Sequence, residues 1–197
     1  MPHIERSSVV GLFGGSFNPP HLGHLLVAKT AIRRLRLDQL WWMVTPGNPL
    51  KDHTHLPSLD ERIRLSSELV DHPKIHVTGF EQVIGKTASA DTISYILSRC
   101  KGARFVWVMG ADSFATIHRW HRWRDIMSML PIAIVDRPSV RASTLSSPMA
   151  CVYRSFRLDE RESARLPFMK PPVWTYLHGP LSFESSTNLR LAGNNFS

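Results

Sequence analysis

The chain has 197 residues, 43% hydrophobic and 20% charged, which suits one globular domain around one core. Its longest apolar runs, such as Met129 to Val135, are far too short to cross a bilayer. The first residues, Met1-Pro2-His3-Ile4-Glu5-Arg6, lack a signal peptide's apolar core, so the chain reads as cytoplasmic. A net charge of +8 attracts polyanions, a nucleotide or a nucleic acid, and is equally compatible with a merely soluble basic surface. Cys100 and Cys151 have no metal or redox spacing and read as reduced thiols.

Val9 to Phe13 is a short apolar run ending in Gly14-Gly15 and reads as a buried strand. Leu22 to Leu35 has helical periodicity, with Arg33-Arg34 near its C-terminal end, where cations suit the helix dipole. Leu40 to Val44 is a second strand, stopped by Pro46-Gly47. Ser58 followed by Glu61 is a capping box and opens a helix to Val70. Ile75 to Thr78, Arg104 to Met109, Ile132 to Asp136 and Val173 to Leu177 read as further strands, with a helix from Thr92 to Cys100 and a last one from Ser185 to Leu191. The Ser-, Arg- and Pro-rich stretch 137–172 reads as an irregular excursion. Alternating strands and helices predict an α/β fold, one doubly wound, mostly parallel sheet spanning 1–197 as a single domain. Such sheets bind ligands beyond the C-terminal ends of their strands.

The segment after the first strand is therefore the first place to look. It reads Gly14-Gly15-Ser16-Phe17-Asn18-Pro19-Pro20-His21-Leu22-Gly23-His24. Paired glycines admit a close backbone approach to a ligand. His21 and His24 share a face if they lie on a helix. That helix start offers free N–H groups and a positive dipole end to phosphate. The dinucleotide fingerprint G-x-G-x-x-G is absent here, and Gly85-Lys86-Thr87 is no P-loop, because Phe80 stands where that motif needs glycine.

This stretch resembles the signature of the H-x-G-H nucleotidyltransferase superfamily, and its longer form resembles bacterial nicotinate-mononucleotide adenylyltransferases. Glu184-Ser185-Ser186-Thr187-Asn188-Leu189-Arg190 is similar to that family's second signature, S-S-T-x-x-R. The resemblance covers most of the chain from Val9 to Arg190 and is weakest between Arg141 and Pro172. It implies a Rossmann-like nucleotidyltransferase fold and adenylyl transfer from ATP to nicotinate mononucleotide, a step of NAD biosynthesis. It implies His21, His24 and Arg190 as catalytic residues. ATP would be held by Gly14, Gly15, His21, His24, Gly110, Asp112, Ser186, Thr187 and Arg190. The mononucleotide would be held by Ser16, Phe17, Asn48, Lys51, Ser89, Thr92 and Trp120, with Trp120 stacking on the pyridine ring. Asp112 could equally cap the helix that follows it. Trp123 reads as core. Ala88 and Ser89 depart from the family's Y-T-x-D-T segment, keeping a hydroxyl but losing an aromatic ring.

Mg²⁺ is expected to arrive with ATP and no protein metal site is expected; His53 and His55 have no third ligand nearby. Another member of the superfamily, a pantetheine-phosphate adenylyltransferase or a cytidylyltransferase, is the nearest alternative. Arg119-Trp120-His121-Arg122-Trp123-Arg124 also has the texture of a basic RNA-binding surface. The paired phosphate signatures argue against that second reading. A homo-oligomer is left open.

Overall fold

The computed structural model describes residues 1–46, 56–85, 88–136, 144–180, 184, 186 and 189. Seven strands form one sheet: β1 (Val9–Gly15), β2 (Gln39–Val44), β3 (Ile75–Thr78), β4 (Arg104–Gly110), β5 (Ile132–Val135), β6 (Arg157–Leu158) and β7 (Trp174–Leu177). Their order is β3-β2-β1-β4-β5-β7-β6, and every pairing is parallel. The fold is thus a Rossmann-like α/β sheet, and wholly rather than mostly parallel.

The central strands are apolar on both faces because both faces are covered. Val10 and Leu12 of β1 join Trp41 and Met43 of β2, and Phe105, Trp107 and Met109 of β4, in one core layer. Their neighbours Val9, Phe13, Leu40, Trp42, Val106 and Val108 point into the other. The second layer is completed by α1 (Leu22–Leu35), through Leu25, Val27, Ala28, Ala31 and Ile32. Further helices are α2 (Leu59–Leu69), α3 (Phe80–Val83), α4 (Ser89–Arg99), α5 (Ala111–Thr116) and α6 (Trp123–Met129). The first layer is covered by Ile93 and Ile96 of α4, Phe114 of α5 and Ile126 of α6.

The spans expected for α1 and β3 match the structure residue for residue, and the Ser58 hydroxyl does cap α2, accepting from the Glu61 N–H at 3.1 Å. The short helices α3 and α6 were not expected, and α5 is the helix expected at Asp112, for which the sequence set no span. Each is seven residues or fewer, too short to display a full amphipathic period, and tertiary packing holds them. The excursion also needs correcting. From 144 to 172 the chain forms a one-turn helix (Pro148–Val152), β6 and a 3-10 helix (Glu160–Phe168). The 3-10 helix docks on α1, with Arg34 Nη2 donating to the Glu160 main-chain oxygen at 3.1 Å and the Ser163 hydroxyl to the Arg34 carbonyl at 3.2 Å. Contacts more than a hundred residues apart in sequence order this segment, so local periodicity cannot reveal it. Residues 137–143 lie outside the described part of the excursion. Among the described residues no helix is long and apolar enough to cross a membrane.

Candidate active site

The sheet order reverses beside β1, which lies between β2 and β4. The carboxyl ends of β1 and β4, at Gly15 and Gly110, therefore border a crevice of the kind that binds ligands in open α/β sheets. The first signature leaves β1 directly into it. His21 caps α1 in an extended conformation, and His24 follows in the first turn. The two rings lie 3.8 Å apart, centroid to centroid, tilted by 36°. The shared face read from their spacing is thus present, with a ring-on-ring contact added.

Phe17 explains how the pair is held. Its backbone is left-handed, with φ of 44°. Its ring is 2% exposed and packs edge-on against Phe13 at 5.3 Å and against His24 at 5.0 Å. The expectation that Phe17 faces the mononucleotide is corrected on this point: the ring is a core group beneath His24, and only its main chain borders the loop. The reason given for the glycines changes too. A Cβ on Gly15 would meet the Phe17 ring at 2.9 Å, and one on Gly14 would meet Trp107 at 3.0 Å. Packing of these rings, before any ligand approach, requires the two glycines.

The two signatures meet. The Ser186 hydroxyl donates to the Pro19 carbonyl at 3.0 Å, and the Leu22 N–H of α1 donates to a Glu184 carboxylate oxygen at 2.8 Å. Residues more than 160 positions apart thus sit at one helix start, and a carboxylate already stands where that helix favours an anion. Ser186 and Leu189 are helical, in keeping with the expected last helix; Thr187 and Arg190 lie outside the described residues.

Across the crevice, Gly110 caps α5 and Asp112 occupies its first turn, exposed. Asp112 is therefore not the cap residue, though its charge suits the helix start. α4 begins at Ser89, three residues earlier than expected, with Ala88 as its cap. That shift carries Thr92 inward: it is fully buried, next to Glu81, and does not line an open pocket with its hydroxyl. Ser89 stays half-buried at the helix start.

Trp120, also half-buried, ends a 3-10 turn and is tied to the α4 segment by its neighbour Arg122. Arg122 bonds Asp91 at 2.9 Å and Asp125 at 2.7 Å. Trp123 is core, 9% exposed, with Arg124 stacked on it at 4.5 Å. Two of the cations in the basic-aromatic run are therefore engaged within the protein, which weakens the RNA-binding reading. Asn48, Lys51, His53 and His55 lie outside the described residues.

Sequence reasoning missed Arg62, whose guanidinium is buried and bonds the main-chain carbonyls of Ser16 and Thr45, just past the ends of β1 and β2. A signal was available: Arg62 shares the inward face of α2 with Leu59, Ile63 and Ser66, where an apolar residue is expected.

Residues 12–191 match the model of the cytidylyltransferase-like family. A probable nicotinate-nucleotide adenylyltransferase of Rhizobium meliloti is 57% identical over 93% of this chain and 97% of its own length. One from Brucella suis is 58% identical over 92% of this chain and 93% of its own. The chain belongs to the nicotinate-nucleotide adenylyltransferases of this family. The fold agrees: a Plasmodium falciparum nicotinic acid mononucleotide adenylyltransferase, solved in complex with NaAD, superposes with a TM-score of 0.70 at 18% identity, over 93% of this chain and 83% of that one.

One buried group of this adenylyltransferase titrates near neutrality. Glu81 of α3 is 1% exposed, and one of its carboxylate oxygens has no hydrogen-bond partner among the described residues. Burial pushes its carboxyl up to about 7, against the weaker pull of the Thr92 hydroxyl. A folded-state pKa above the unfolded value favours folding below that unfolded value, and the advantage is lost as pH rises through about 7. The Glu81→Gln variant should therefore match the wild type near pH 4.5 and exceed it at pH 8, by on the order of 3 kcal/mol. Urea unfolding at the two pH values checks this; equal stabilities at pH 8 would contradict it.

Proposed function

We propose that the chain transfers the adenylyl group of ATP to nicotinate mononucleotide, giving nicotinate adenine dinucleotide and pyrophosphate. The observation that carries the site is the joining of the two signatures at the α1 start, through Ser186 to Pro19 and Glu184 to Leu22. The nucleophile is the mononucleotide's own phosphate, largely ionised near pH 7, since the second pKa of a phosphate monoester is about 6. No protein base is needed to activate it. The barrier lies in bringing two polyanions together and in charge gathering on the leaving pyrophosphate, and positioning and positive charge lower both.

In this reading His21 and His24 meet the ATP phosphates at the reacting centre. The Ser186-Thr187 turn and the Arg190 fork take the β and γ phosphates. Gly14, Gly15, Gly110 and Asp112 border the nucleotide. Ser16, the Phe17 main chain, Asn48 and Lys51 serve the mononucleotide, with Ser89 and Trp120 at its pyridine ring and Thr92 supporting that wall from inside. Mg²⁺ carried by ATP would neutralise phosphate charge. Such an ion would be liganded mainly by phosphate oxygens and water. A cytoplasmic setting agrees with Cys100 and Cys151 being free thiols.

The test is pyrophosphate release from ATP across a panel of acceptor phosphates. Release with nicotinate mononucleotide, and little with pantetheine phosphate, is the expected result. Release with pantetheine phosphate alone, or from CTP in place of ATP, would replace this reading with another of the same superfamily.

A further inference from the structure

Arg62 of α2 is 1% exposed, and among the described residues its four hydrogen bonds all go to main-chain carbonyls. Its Nε donates to Pro57 at 3.1 Å, Nη1 to Ser16 at 2.8 Å and to Thr45 at 2.7 Å, and Nη2 to Pro46 at 3.0 Å. Burial lowers the guanidinium pKa from its ordinary value, and no acid opposes that shift. The cation is thus held by carbonyl dipoles alone, among the described residues.

The carbonyls come from three places. Ser16 belongs to the loop of the first signature. Thr45 and Pro46 end the strand side of the 47–55 segment, and Pro57 follows its other end. The Thr45 N–H also donates to the Gly15 carbonyl at 3.0 Å, so β1 and β2 are joined just where their loops diverge. A guanidinium is a rigid plane with five donors, so the carbonyls that share it are fixed relative to one another. Burying an arginine without a carboxylate is costly, and general stabilisation of α2 could be had more cheaply from an apolar side chain at this position.

We infer that Arg62 is a positioning residue for adenylyl transfer. It ties Thr45 and Pro46, at the end of β2, and Pro57, ahead of α2, to Ser16 in the segment that leads to His21 and His24. The phosphate nucleophile and the ATP phosphates are thereby held in one frame. This rests on the proposed function, which assigns the mononucleotide to Ser16, whose carbonyl Arg62 holds, and to residues that follow Pro46 in sequence. An in-line displacement tolerates little misplacement, and about 1 Å can lower a rate roughly 100-fold.

The experiment compares Arg62→Lys and Arg62→Ala with the wild type, varying each substrate in turn at a temperature where circular dichroism shows the variants folded. Lysine keeps the charge but offers donors from a single point and cannot span four carbonyls. Both variants are expected to raise the KM for nicotinate mononucleotide about tenfold or more and to lower kcat about tenfold or more, while the KM for ATP moves less than about threefold. Guanidinium ion at millimolar concentration should restore part of the loss in Arg62→Ala and leave the wild type unchanged. Variants that lose thermal stability yet keep kcat and both KM values would overturn the inference. So would a defect confined to ATP, or failure of both variants to fold, since stability alone would then account for the residue. Should the wild type itself form no dinucleotide from nicotinate mononucleotide, the proposed function fails separately. Amide exchange then decides the clasp: faster exchange at Thr45 in Arg62→Lys supports it, and unchanged exchange overturns it.

Discussion

Replacing His24 with alanine is expected to lower turnover about 100-fold or more, an activation cost of about 3 kcal/mol, while the fold survives. In the proposed mechanism His24 meets charge that develops as pyrophosphate departs, so its loss falls on kcat more than on either KM. The geometry supports survival of the fold. His24 is only half-buried, sits in the first turn of α1, and alanine is the better helix former. What the variant loses in packing includes edge contacts with Phe17 and Trp42 and tilted contacts with Phe13 and His21. A cost of about 1 kcal/mol corresponds to a fall in Tm of roughly 2–4 °C at this chain length. Steady-state kinetics beside a thermal melt separate the two effects. Near-normal turnover would remove His24 from the reacting centre, and a collapsed melt would make it a folding residue.

The second large effect concerns the pyridine substituent. The acid, nicotinate mononucleotide, is expected to be used with a kcat/KM at least about tenfold above that of the amide. A carboxylate accepts hydrogen bonds at both oxygens, whereas a carboxamide presents an NH₂ that can only donate. In the proposed pocket that group would face the start of α4, whose first N–H groups have no partner in the helix's own ladder. The start falls at Ser89, so the N–H and hydroxyl of Ser89 both stand at the positive end of the helix. Trp120 would stack on either ring and adds binding without choosing. Each buried donor left unpaired costs about 1–3 kcal/mol, which sets a preference of roughly one to two decades. Thr92 does not contribute directly, being buried beside Glu81. Ala88 gives the pocket no aromatic wall at that position, which admits water and puts the expected preference toward the lower end. Measuring both mononucleotides at equal ATP decides it; equal efficiency, or a preference for the amide, would remove the α4 start from substrate choice and leave adenylyl transfer standing.

Parts of this protein could be read from local sequence because their causes are local. The α1 and β3 spans follow from periodicity and turn residues, and the Ser58 cap follows from a hydroxyl three residues before Glu61. The first signature marks a candidate site because strand, glycines and helix start are contiguous in the sequence. The family resemblance extended this to the second signature, which by itself is no more than a capped helix with an arginine.

Other parts depend on what lies across the fold. Phe17 looks like a ligand contact in a motif and is a core ring in space, because Phe13 and Trp42 surround it. Glu184 drew no role from its neighbours, and acquires one only because the chain's end returns to the start of α1. Arg62 reads as one more cation on a charged helix, yet its four carbonyl partners come from three segments. The excursion reads as irregular because its short elements are held chiefly by Arg34, β7 and α1. The sequence by itself therefore determined the α/β class and the main strands and helices, and pointed to the proposed phosphate site, since apolar period, caps and turn residues act within a few positions. Only the tertiary structure decided which side chains face the crevice and which support it from behind, because that depends on packing and hydrogen bonds between segments far apart along the chain.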